Sequence, residues 1–73
     1  EKHMYRIKEL RKMRKWNQKE VAEAIYTTQQ QYSRIELGKT DISGFTLKRL
    51  ASLYNVSTDY ILGLTDNPKP YDA

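Results

Sequence analysis

The chain has 73 residues, no cysteine and a single histidine, which leaves room for one small domain and excludes disulfides and thiolate metal sites. Lys and Arg number 13 against 9 Asp and Glu, a formal net charge of +4, which favours polyanionic partners without defining one. No apolar run approaches the ~20 residues that span a bilayer and no hydrophobic secretory segment opens the chain, so no membrane partner is expected and the cytosol is the expected compartment.

Glu1-Lys2-His3-Met4 differs in character from the rest of the chain, and His3-Met4 matches a cloning scar ahead of a natural start. Residues 1–4 are therefore read as a tag remnant and native start, and His3 is set aside as a metal or catalytic group. Lys2, Arg6, Lys8, Arg11, Lys12, Arg14, Lys15 and Lys19 crowd the first part of the chain; such a run fits either a solvated basic helix face or a polyanion contact. From Tyr5 to about Lys15, Ile7, Leu10, Arg11 and Arg14 recur at spacings of three and four, which predicts a first helix with Met13 packing alongside. Trp16 stands where the pattern stops and reads as an aromatic plug between helices rather than a stacking platform.

Asn17 is a good N-cap, and Glu20 stands where it can return a bond to the cap, so a second helix starts here. Val21, Ala22 and Ile25 form its apolar face. Tyr26-Thr27-Thr28 brings β-branched residues and a second N-cap candidate, Thr28, directly ahead of three glutamines. Two helices separated by so short a turn must cross steeply, the geometry of a helix-turn-helix.

On a wheel of 100° per residue starting at Gln29, Tyr32, Ile35 and Glu36 cluster between about 240° and 340°, and Gln30, Ser33, Arg34 and Leu37 between about 40° and 140°. The first group is the inward face. Gln29 and Gln31 flank the second, and amide side chains exposed on a helix suit paired contacts to base edges in a DNA major groove. Taken alone, the glutamines are equally good surface helix formers. Gly38 then supplies a left-handed residue that ends the helix.

Residues 39–44 read as a loop, with Ile42 turned back to the core. From Thr46, the series Leu47, Leu50, Ala51 and Tyr54 predicts a fourth helix that stops before Asn55, a residue able to turn left-handed. Ser57 caps a fifth, with Tyr60, Ile61, Leu62 and Leu64 as its apolar surface. Residues 65–73 hold two prolines and no periodicity, the mark of an extended tail, ordered where Tyr71 finds a pocket or partner. The expected fold is all-α, a five-helix bundle over residues 5–64.

These residues resemble the Cro and phage-repressor type of helix-turn-helix domain, the xenobiotic-response-element family with its lambda-repressor-like fold. The likeness runs from Tyr5 to Gly63 and rests on Asn17-Gln18, on Thr27-Thr28-Gln29-Gln30, on Ile35-Glu36-x-Gly38-Lys39, and on Leu50-Ala51-x-Leu53-Tyr54-Asn55-Val56-Ser57-x-Asp59-Tyr60-Ile61-Leu62-Gly63. The resemblance implies that Gln18 contacts a phosphate and braces Gln29, that Gln29 and Gln30 read bases, and that Arg11 pairs with Glu36. Four positions depart from the family pattern. Tyr26 stands where the turn usually has Gly, Tyr32 replaces an aliphatic inward residue, and Leu37 replaces an Asn that contacts phosphate. The basic residue common before the fourth helix is missing at Ser43-Gly44.

The expected function is sequence-specific binding of double-stranded DNA as a transcriptional regulator, a repressor that occupies a palindromic operator as a homodimer. Gln29, Gln30 and Arg34 would read bases, with Gln31 and Ser33 at the edge; Asn17, Gln18, Lys19, Lys39, Arg14 and Lys15 would hold the backbone. The alternative is an antitoxin-like or adaptor module that uses the same bundle on protein through Leu37 and the stretch from Tyr60 to Leu64. No cofactor, metal or small-molecule ligand is expected. An enzyme has no support, since Glu20 and Glu23 read as helix-start and surface charges and no phosphate-cradling Gly loop is present.

Overall fold

A computed structural model describes residues 5–70. The expected scar at residues 1–4 and the Tyr71 anchor lie outside them. Five helices occur in order, α1 (Ile7–Met13), α2 (Gln18–Ala24), α3 (Gln29–Glu36), α4 (Gly44–Tyr54) and α5 (Thr58–Leu62), with no strand among the described residues. The expected all-α, five-helix architecture is thus the observed one.

Local chemistry accounts for most helix starts. Asn17 Oδ1 accepts from Glu20 N at 2.8 Å while Asn17 N donates to Glu20 Oε1 at 2.9 Å, a complete capping box. Thr28 Oγ1 accepts from Gln31 N, and Ser57 Oγ from Tyr60 N. The fourth helix begins at Gly44 rather than Thr46, because Ser43 Oγ accepts from Thr46 N and caps it two residues earlier. At the first helix no side chain caps the start. Arg6 N donates instead to Ile61 O at 3.1 Å, which delays that helix to Ile7 and ties it to α5.

The helix ends share one device. Lys15, Tyr26, Gly38, Asn55 and Gly63 all take left-handed backbones, with φ of 59°, 62°, 72°, 55° and 79°. Beyond each, the next amide reaches back into the last turn: Trp16 N to Arg11 O, Thr27 N to Ala22 O, Lys39 N to Arg34 O, Val56 N to Ala51 O, and Leu64 N to Asp59 O. This is the Schellman pattern, which satisfies carbonyls that the helix leaves open. At Lys15 and Tyr26 a side chain makes that backbone unfavourable by about 1–2 kcal/mol. Tyr26 is offset by its ring, which lies 4.6 Å below the Arg49 guanidinium; the same guanidinium sits 3.7 Å from the Phe45 ring and donates to Ile25 O at 3.1 Å. Lys15 is exposed. Lys15→Gly should therefore raise stability by about 0.5–1 kcal/mol, the relieved strain less the added freedom of the unfolded chain, and Tyr26→Gly should gain less. Paired thermal melts of the two variants check that order.

Ile7, Leu10, Val21, Ala22, Ile25, Tyr32, Ile35, Leu50, Tyr54, Val56 and Ile61 form one buried cluster. Ile42 and Trp16 pack against it, the indole stacked on Tyr54 with centroids 5.9 Å apart. Met13 does not pack alongside: it is 77% exposed, because α1 ends at that residue and the turn through Lys15 carries the chain away. Residues 65–70 are non-helical and held to the body. Arg6 Nη1 donates to Thr65 O (3.0 Å), Arg6 Nη2 meets Asp66 Oδ1 (2.7 Å), and Ser57 N donates to Pro68 O (3.2 Å).

Candidate nucleic-acid interface

The second and third helices pack on one another, and α3 divides by face. Tyr32, Ile35 and Glu36 are buried; Gln29, Gln30, Gln31, Arg34 and Leu37 are exposed and Ser33 is half-buried. The wheel drawn from sequence therefore describes the real partition. Gln18, Gln29, Gln30, Ser33 and Arg34 together line an open groove of about 480 Å³ between the start of α2 and the outer face of α3. Gln31 is outside that groove. Amides, a hydroxyl and one guanidinium on a single concave surface offer both donors and acceptors to a partner, with positive charge supplied by Arg34.

The other candidate residues are dispersed. Asn17 is exposed, but its side chain is committed to the capping box. Lys19 and Lys39 are exposed on either side of the turn-helix unit. Arg14 has a different occupation: its Nη2 donates to Tyr54 O at 3.0 Å, and its guanidinium lies 5.6 Å from the Trp16 ring and 5.9 Å from the Tyr54 ring. Lys15 occupies the left-handed turn beside it.

Behind the groove lies a buried charge. Glu36 is 2% exposed and receives Arg11 Nε on Oε2 at 2.7 Å and Arg11 Nη2 on Oε1 at 3.2 Å, a two-pronged pair. Arg11 Nη1 also donates to Trp16 O at 3.0 Å, which ties the pair to the turn after α1. The Gln18 amide points here as well, Nε2 donating to Glu36 Oε1 at 3.1 Å. Its bond thus goes to Glu36 rather than to Gln29, a contact that no local pattern announces because it joins α2 to the end of α3.

Burial opposes ionisation of Glu36, but hydrogen bonds, chiefly from Arg11, overcome it and hold the carboxyl below its usual range. The same bond raises Arg11 above its ordinary value against the opposing effect of burial. Beside them the Tyr32 and Tyr54 hydroxyls are buried without a well-formed hydrogen bond among the described residues, and burial is the main force raising both phenols. Linkage sets the signs. Because Glu36 titrates lower in the folded chain, its contribution is present above the unfolded carboxyl range and is lost as pH falls through the folded value. Because the phenols titrate higher when folded, theirs is present below about pH 10 and is lost as pH rises above it. Denaturant midpoints measured across pH should accordingly fall at both ends, and Glu36→Gln should flatten the acid limb.

Among the described residues no helix is long and apolar enough to cross a membrane, and no cluster of His, Cys, Asp or Glu could hold a metal ion.

Five short helices, with a buried-faced α3 set across α2 by a tight turn, define a helix-turn-helix domain. The chain belongs to that family in its xenobiotic-response-element form: the helix-turn-helix family model matches residues 7–61. Among similar proteins of Bacillus subtilis (strain 168), the uncharacterized HTH-type transcriptional regulator YobD is 42% identical over 65 residues, covering 89% of this chain and 58% of its own length. The HTH-type transcriptional regulator ImmR is 43% identical over 58 residues, covering 80% and 46%. An SPbeta prophage-derived uncharacterized regulator, YonR, is 33% identical over 57 residues, covering 78% and 53%. The chain thus spans about half the length of these relatives.

Proposed function

We propose that this chain is the double-stranded DNA-reading domain of a transcriptional regulator, a repressor that acts in the cytosol by occupying an operator on the nucleoid. The observation that carries the reading is the groove itself: Gln18, Gln29, Gln30, Ser33 and Arg34 converge on the outer face of a helix whose other face is the core. Gln29 and Gln30 read adenine through N6 and N7, and Arg34 reads guanine or a nearby phosphate. Ser33 and Gln31 make edge contacts. Asn17, Lys19 and Lys39 hold the phosphates, Asn17 through what its cap leaves free, and supply the salt dependence. Arg14 and Lys15 add to this at the margin, since Arg14 is already engaged on Tyr54.

Two copies bind about a twofold axis and place one α3 in each of two successive major grooves about 34 Å apart, so the operator is palindromic. Leu62 and Leu64, 37% and 72% exposed at the end of α5, supply apolar surface for that dimer. Selection of bound duplexes from a random pool tests the whole reading: enrichment of a palindrome supports both specificity and symmetry. Equal affinity for selected and random duplexes at ~150 mM salt would instead favour the protein-docking module.

A further inference from the structure

We propose that Arg49 is a phosphate contact of the DNA complex, delivered by α4 to the turn between α2 and α3 and held there by the rings of Tyr26 and Phe45. The proposal rests on the DNA-reading function above and adds a residue that lies outside both the groove and the α2–α3 unit.

The arginines outside the groove divide by what they touch. Arg6 meets Asp66 and Arg11 meets Glu36. Arg14 lies over Trp16 and Tyr54, rings that pack against the core or belong to it. Arg49 is half-buried and has no carboxylate within ion-pair distance among the described residues, and its two rings are open to solvent: Tyr26 is 80% exposed and Phe45 64%. Nη1 is fixed on Ile25 O, and the rings lie against the guanidinium. Such rings restrain it without consuming its N–H groups, so the remaining donors stay available to an anion. A restrained, unpaired cation between exposed rings suits an anion with apolar surface beside it, as a phosphate stands beside its deoxyribose.

A carboxylate on a protein would satisfy the same donors, and placement decides for DNA. The chain from Ile25 to Gln29 spans at most ~14 Å. With Gln29 at base edges on the floor of a major groove ~8.5 Å deep, that span brings Ile25, and the guanidinium bonded to its carbonyl, up to the phosphate rim. The local sequence supplies no cation there. Residues 20–33 hold Glu20 and Glu23 but no Lys or Arg, and residues 40–47 hold Asp41 and again neither. Helical side chains lean toward the N-terminus of their helix, so Arg49 reaches back over Phe45 to the turn. The basic residue missing ahead of α4 is thus replaced from within that helix.

Neutralising single phosphates tests the contact, first on the unmodified protein. Methylphosphonates placed one at a time along one half-site of the selected duplex should reveal a rim phosphate whose loss weakens wild-type binding about 5-fold. Arg49→Gln should weaken every duplex alike, lower the salt slope by about 1 for each bound copy, and lose less than about twofold on that same neutralisation. Phe45→Ala removes an exposed ring and no charge, and should cut the 5-fold effect to about 2- to 3-fold. Thermal melts establish that each variant is folded at the binding temperature, and Phe45→Ala carries the cycle if Arg49→Gln does not fold. A folded Arg49→Gln that binds as tightly as the wild type, or that keeps the wild-type loss at every neutralised phosphate, overturns the contact and leaves Arg49 a brace of the turn. An undiminished effect in Phe45→Ala overturns the holding by the rings. A wild type that enriches no duplex overturns the DNA-reading function itself, and is told apart because the Arg49 contact alone fails only when the wild type discriminates.

Discussion

Glu36→Ala is expected to destabilise the fold by about 3–5 kcal/mol, the range for breaking a buried pair from one side. The magnitude comes from what is left behind. Arg11 loses both of its bonds to the carboxylate while its side chain remains only 12% exposed, and Gln18 loses its inward acceptor. The Tyr32 and Tyr54 hydroxyls, already short of partners, gain none. A domain of this size has a total stability on the order of 5 kcal/mol, so the variant should be largely unfolded at 37 °C. Urea denaturation followed by circular dichroism checks the value. The paired Arg11→Met and Glu36→Leu change is the control, since removing both charges leaves no orphan and should recover most of the loss. If Glu36→Ala melts within a degree of the wild type, the pair contributes nothing to stability and water reaches the site.

What is legible in the chain is what nearby residues decide among themselves. Asn17 and Glu20 share one turn, as do Thr28 and Gln31, and both caps form. The α3 wheel places Glu36 inside because spacing alone fixes a face, and Asn55 and Gly38 end their helices as residues suited to left-handed backbone. Sequence reasoning fails where a decision belongs to a distant partner or a competing cap. Ser43 reads as loop although it caps α4, and Met13 reads as core although the first helix stops beneath it. The Gln18 bond to Glu36 joins residues 18 apart, and Arg6 reaches Thr65 and Asp66 across nearly the whole chain. No periodicity encodes such contacts. The clamp that steadies Tyr26 has a partial signal, since Phe45 and Arg49 stand four apart on one helix, but nothing in that spacing points to the turn they cover. The α3 residues of the groove and the buried Glu36 behind it can be named from sequence; the convergence of Gln18 with them on one surface, and its bond to that carboxylate, cannot.

Gln29→Ala is expected to weaken binding to the selected duplex by about 1–3 kcal/mol, roughly 5- to 150-fold, and to do so at one base pair of each half-site. Gln29 is exposed and its backbone lies directly after the Thr28 cap, so the substitution should leave the fold intact; alanine is also the better helix former. The salt dependence should stay unchanged, because no phosphate contact and no charge is removed. Lys39→Ala makes the opposite change, weakening all duplexes alike and lowering the salt slope by about 1, since a lost cation releases one counterion fewer. Titrations of the selected duplex and its single-position variants at two salt concentrations separate the two patterns. Were Gln29→Ala to behave like Lys39→Ala, Gln29 would be a backbone contact. Base reading would then pass to Gln30 and Arg34, the groove residues farther along the same face.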